Sequence, residues 1–200
     1  MQSNTISEII PGTLWLSSGI HAIGPGVKEL GITHIVNATN KCIPNAFENE
    51  NVEYLNVDID DEESAVIWPY FKEVATFLGM AELTGRSRCL VHCMVGVSRS
   101  ATLVVAYLML RNPHLSLRES FYQVKSARDI IAPNPSFARE LMRLELTEKK
   151  CLKENTIKEE EMVNPNYHRV KANTSKAKSA LDKLAGGGSS IAFGPGCVVQ

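Results

Sequence analysis

Two hundred residues with 44% apolar content are enough to bury one sizeable core. A formal net charge of −1 points away from nucleic acid as a partner. The apolar run from Ala101 to Leu110 is about half of what a bilayer span needs. Charge is uneven along the chain: residues 1–147 carry 12 Lys and Arg against 16 Asp and Glu, and residues 148–200 carry 9 against 6. The five cysteines (Cys42, Cys89, Cys93, Cys151, Cys197) have irregular spacing and no CxxC, which argues against a disulfide scaffold or a zinc site. With no basic-then-apolar leader at its start, the chain is expected to be reduced, intracellular and soluble.

In chain order, "TLWLS" (13–17) reads as a short strand after the turn at Pro11–Gly12. "GVKELG" ends in Gly31, a residue suited to closing a helix. "ITHIVNAT" (32–39) is β-branched and apolar enough for a buried strand, and "VEYLNVDI" (52–59) alternates as a half-buried one does. Pro69 opens a helix with Phe71, Val74, Ala75 and Leu78 on one face and Gly85 beyond its end. "RCLVHC" (88–93) is another apolar strand. Ser100 to Arg111 is apolar nearly all round and predicts a buried helix. "SLRE" (116–119) has capping-box spacing for a helix to about Ala127, and Asn134–Pro135 can start another to about Lys150. Strands alternating with helices predict an α/β fold, with a central, mostly parallel, twisted sheet flanked by helices. Residues 1–150 read as one domain. Residues 151–200 read as a flexible polar tail containing the linker "GGGSS" (186–190).

The stretch "LVHCMVGVSRSATLVVAYLML" (90–110) carries the chemistry. A strand ends at His92, a loop runs from Cys93 to Arg99, and a buried helix starts at Ser100. Met94, Val95, Gly96, Val97, Ser98 and Arg99 supply successive backbone N–H groups to one point, which suits a phosphate. Gly96 lets the loop bend, and Arg99 adds a fork matching two phosphate oxygens. The same positive field should hold Cys93 as a thiolate, a nucleophile in line with a bound phosphoryl group. No Gly-Lys-Ser/Thr follows, so this is not a Walker loop. A proton donor is also required, and "DIDDEES" offers Asp58, Asp60, Asp61, Glu62 and Glu63, among which chemistry alone does not choose.

His92-Cys93-x-x-Gly96-x-x-Arg99-Ser100 resembles the signature of the protein tyrosine phosphatase superfamily. It is most similar to small atypical dual-specificity phosphatases and to the catalytic domains of MAP-kinase phosphatases. The likeness runs from about Ile9 to Leu146 through "IIPGTLWLS", "GITHIVNAT", "LVHCMVGVSRSATLVVAYLM" and "IIAPNPSFARELMRLE". It implies the cysteine-phosphatase fold and hydrolysis of phosphotyrosine and phosphoserine or phosphothreonine through phosphocysteine at Cys93. It implies that Arg99 and the loop amides hold the phosphoryl oxygens, that Ser100 hydrogen-bonds the sulfur, and that His92 orders the loop. By the family's spacing from a strand tyrosine, here Tyr54, Asp61 is the acid, with Asp60 the runner-up. Asn134 is either the family's brace for the active-site loops or a plain helix cap. Pro135 stands where the family is variable. Cys42 could form a reversible disulfide with Cys93, or be a buried inert thiol.

No metal or cofactor is implied. The uncharged loop side chains disfavour inositol lipids, and a shallow pocket would admit all three phosphoresidues. The expected partners are phosphorylated proteins, protein kinases among them, with no nucleic acid. Cys197-Val-Val-Gln200 fits a prenylation motif, so the expected location is cytoplasmic or nuclear, with membrane contact only if Cys197 is prenylated. A phosphoprotein-binding adaptor and a phosphatase for RNA 5′ ends or another non-protein ester are the rival readings.

Overall fold

The computed structural model describes residues 6–149 and 157–165. Its elements are β1 (Ser7–Ile10), β2 (Leu14–Ser18), α1 (Gly19–Ala22), α2 (Gly26–Glu29), β3 (His34–Asn37), β4 (Glu53–Asn56), α3 (Trp68–Leu83), β5 (Cys89–Cys93), α4 (Arg99–Arg111), α5 (Leu117–Ala127), α6 (Pro135–Lys149) and α7 (Glu159–Met162). The sheet order is β1-β2-β5-β3-β4. β5 lies at its centre, parallel to both β2 and β3. β4 is parallel to β3, and only β1 runs antiparallel. The expected largely parallel sheet is what forms. β1 was not read separately; a hairpin through Pro11–Gly12, with Gly12 at φ 70, adds it at the edge.

Strand alternation divides the core. Leu14, Leu16, Val36, Cys89, Val91 and Cys93 face the large cluster under α3, α4, α5 and α6. Trp15, Ile35 and Leu90 face a smaller cluster with Val27 and Phe47. One face is thus covered by four long helices, the other by short helices and loops. α4 lies at the centre of the helical layer, and every residue from Arg99 to Met109 is buried. That is why its sequence is apolar all round.

α6 holds its neighbours through two carboxylates. Glu140 Oε2 accepts from the Trp68 backbone N–H at 2.6 Å, at the start of α3. Glu145 Oε1 accepts from Leu117 N–H at 2.6 Å, at the start of α5. α5 also carries the expected capping box between Ser116 and Glu119. Each acceptor satisfies amides that a helix start leaves orphaned.

Part of the expected flexible tail is packed. Ile157 and Met162 are buried in the large cluster. Glu159 meets Arg139 at 2.9 Å and Glu161 meets Arg118 at 3.2 Å. "IKEEEMV" places apolar residues on either side of an acidic turn, which fits the basic rims of α5 and α6. These half-exposed pairs orient the segment, and burial of Ile157 and Met162 supplies most of the attraction. Cys151, Cys197 and the "GGGSS" linker lie outside the described residues. Among the described residues no helix is long and apolar enough to cross a membrane.

Glu145→Ala is expected to lower folding stability by about 1–3 kcal/mol, because it leaves a buried amide unpaired. Glu145→Gln, which keeps an acceptor, should cost less. Urea unfolding midpoints of the two variants check this.

Candidate active site

β5 ends at Cys93 at the centre of the sheet, where a parallel sheet opens its crevice for ligands. The loop that follows owes its shape to where its carbonyls go. Met94 O accepts from Gly19 N–H at 3.1 Å, and Val97 O accepts from Ala132 N–H at 3.0 Å. Between them Val95 O and Gly96 O accept from Arg128, from Nη2 at 3.1 Å and Nε at 2.7 Å. A peptide plane sets each C=O opposite the next N–H. Four carbonyls turned outward therefore turn the amides of residues 95–98 inward. Gly96 N–H donates to Cys93 Sγ at 3.2 Å, as that geometry requires. Gly96 has φ 76, and a Cβ there would stand 2.6 Å from Ser17 O and 2.9 Å from Arg128 Nη2. No larger residue fits.

Arg128 is 2% exposed, and the sequence reading passed over it. A signal was present. Leu117, Phe121 and Val124 form the buried stripe of α5, and Arg128 continues that spacing. A charged residue on a core stripe needs a buried set of acceptors, and the loop carbonyls supply it.

Cys93 is 2% exposed. Burial pushes its thiol up, but the Arg99 charge and hydrogen bonds from the Ser100 hydroxyl and amide outweigh it, so the thiol lies below its ordinary value. Ser100 Oγ donates to the sulfur at 3.2 Å. Arg99, 4% exposed, donates from Nη1 to Ile59 O at 3.2 Å, while its Nε has no hydrogen-bond partner. His92 is pushed down to about 4, chiefly by burial and further by Arg99, so it is neutral at pH 7. Any influence of His92 on the thiolate is exerted through packing and hydrogen bonding rather than charge. Cys89 is buried and pushed up to about 12 by burial and by Glu82, an inert thiol. Cys93 is a free thiol, so it is not bonded to the half-buried Cys42, which is itself in a disulfide and so is not the inert thiol expected as the alternative.

Of the five acidic residues, Asp61 reaches the loop. Its Oδ1 accepts from Ser98 Oγ at 2.7 Å and from Asn134 Nδ2 at 2.8 Å. Its Oδ2 lies 4.0 Å from Arg99 Nε, and the side chain is 6% exposed. Asp60 accepts instead from Asn40 at 3.0 Å, and Asp58 pairs with Lys41 at 3.4 Å. Glu62 and Glu63 are exposed. Asn134 makes two contacts: its Nδ2 donates to Asp61, and its Oδ1 caps α6 by accepting from Phe137 N–H at 2.9 Å. The Ser98 side chain, counted only for its backbone in the sequence reading, links these segments. Chemically the arrangement offers an ionisable sulfur, an anion cradle of amides plus guanidinium, and a carboxyl group beside both.

Two outcomes are expected. Alkylation of Cys93 by iodoacetate should titrate below the ~8.5 of a free thiol, and Ser100→Ala should move the inflection upward. Between pH 6.5 and about 4 the unfolded chain protonates His92 while the native one does not. The unfolded state then binds more protons, so stability falls as pH drops through that window, by on the order of 3 kcal/mol from this residue. Denaturation midpoints of wild type and His92→Asn across that range test it; the variant's loss should be shallower.

Residues 14–147 match the family model described as dual specificity phosphatase, catalytic domain. The chain is 43% identical over 145 residues to dual specificity protein phosphatase 26 of Homo sapiens, covering 71% of this chain and 68% of that one. It is 40% identical over 139 residues to dual specificity protein phosphatase 1 of Homo sapiens, covering 69% of this chain and 36% of that longer one. Among solved structures, human DUSP28 superposes with a TM-score of 0.65 at 31% identity, over 72% of this chain and 97% of that one. The human tyrosine phosphatase-like serine/threonine/tyrosine-interacting protein does so at 0.65 and 30%, over 71% and 96%. A loop of inward amides closing on Cys93, together with a matched segment that spans the whole sheet after β1, establishes that this chain belongs to the dual specificity phosphatase family.

Proposed function

We propose that this phosphatase removes phosphate from both phosphotyrosine and phosphoserine or phosphothreonine in proteins, with protein kinases among its substrates. The observation that carries the reading is the single focus shared by the Cys93 sulfur, the inward amides of residues 95–98, Arg99 and Asp61. The Cys93 thiolate attacks phosphorus, and an S–P bond forms as the ester P–O bond breaks. Amides and Arg99 hold the equatorial oxygens, where transition-state charge lies. Asp61 gives its proton to the departing oxygen. Water then attacks the phosphocysteine, Asp61 takes a proton from that water, and sulfur leaves as thiolate toward the Ser100 hydroxyl.

The side chains of Met94, Val95, Val97 and Ser98 carry no charge. A multiply charged lipid headgroup or a polyphosphate RNA end would find no extra cation there, which favours a single phosphoryl group on a protein. The adaptor reading gains weight from the human relative named a phosphatase-like interacting protein. Against it, this chain keeps the cysteine, the arginine and a carboxyl group around one point.

Wild type should turn over p-nitrophenyl phosphate and Cys93→Ser should not; equal rates for the two would defeat the mechanism. Asp61→Ala should lower kcat/KM by about 10²–10⁴ and flatten one limb of the pH profile, with Asp60→Ala close to wild type. Phosphate release from matched phosphotyrosine and phosphothreonine peptides tests the dual specificity, and release from one class alone would restrict it.

A further inference from the structure

Asp61 is gripped by one oxygen. Oδ1 accepts from both Ser98 Oγ and Asn134 Nδ2, whereas Oδ2 faces Arg99. The Ser98 hydroxyl donates to Asp61 and accepts from the Asn134 backbone N–H at 3.0 Å, a bond that leaves its single proton available for Asp61. Asn134 is fixed in turn, because its Oδ1 accepts from Phe137 N–H. Three separate segments thus converge on Oδ1: the phosphate loop, the acid loop and the start of α6. An oxygen already facing two donors is a poor place for a proton, since an added O–H would meet both of them.

We propose that Ser98 is a positioning residue which, together with Asn134, confines the transferable proton of Asp61 to Oδ2, the oxygen on the side of Arg99 and the departing ester. The proposal rests on Asp61 being the proton donor and adds which of its atoms carries the proton and what enforces it. The Ser98 hydroxyl is committed to Asp61 and Asn134, which leaves its backbone amide for the phosphate.

The test compares kcat/KM for p-nitrophenyl phosphate, a good leaving group, with phenyl phosphate, a poor one that depends more on the proton. Asp61→Asn should raise the ratio of the two. If it does not, the assignment of Asp61 fails, and this proposal falls with it. Given that rise, Ser98→Ala should raise the ratio about tenfold, the size of a lost charge-assisted hydrogen bond. Ser98→Thr, which keeps the hydroxyl, should return the ratio toward wild type. In the Asp61→Asn background Ser98→Ala should not change the ratio further, because it acts through Asp61. If Ser98→Ala slows both substrates equally, or still shifts the ratio in that background, the proposal is overturned. Should thermal melts show Ser98→Ala unfolded, Ser98→Gly also removes the hydroxyl and carries the same expectation.

Discussion

The start of α4 is the constraint on which the rest of this structure depends. Among the described residues, α3, α5 and α6 each have a side-chain oxygen accepting at their first turn, from Glu140, from Glu119 with Glu145, and from Asn134. α4 has none: its N-cap, Ser98, makes no side-chain cap bond. The first-turn amide of Ser100 points instead at the Cys93 sulfur. Orphan amides at a helix start bind anions. Among the four long helices the fold neutralises that property in α3, α5 and α6 and leaves it open in α4, where the central strand delivers a thiol.

Keeping that end open has consequences for the surroundings. Arg99 and Arg128 are buried, and His92 is buried and neutral, all around the loop that follows the central strand. Burying charge is costly unless acceptors are supplied. Arg128 receives two loop carbonyls, and Arg99 receives the carbonyl of Ile59 while its Nε stays without one. The site is therefore a polar region that does not stabilise the fold. It is held by what lies around it: an all-buried α4 and an α6 whose carboxylates pin two neighbouring helices.

α6 links stability to chemistry. Its first residues brace Asp61 through Asn134, its middle caps α3 and α5, and its outer face receives the 157–165 segment through Arg139. One helix thus fixes the Asp61 loop relative to the Cys93–Arg99 loop. The separation of Asp61 from Cys93 is set by long-range packing rather than by either loop alone.

The sequence by itself determined most of the longer elements and the loop that carries Cys93. Period-two and period-3.6 apolar patterns, the Ser116–Glu119 capping box and the turn at Pro11–Gly12 are local, and they survive folding because tertiary packing agrees with them. Cys93, Gly96, Arg99 and Ser100 were legible because one short loop holds them all. What only the tertiary structure decided lies between distant segments. Asp61 was separated from Asp60 in the sequence only by resemblance; in space one carboxylate meets Ser98 and Asn134 while its neighbour turns to Asn40. Arg128 was passed over because its acceptors lie more than thirty residues away, and a backbone carbonyl leaves no mark in a sequence. The packing of 157–165 was missed for a related reason. A four-residue helix is too short to form on local propensity, and it exists here because Ile157 and Met162 bury in the large cluster while Arg118 and Arg139 hold its glutamates.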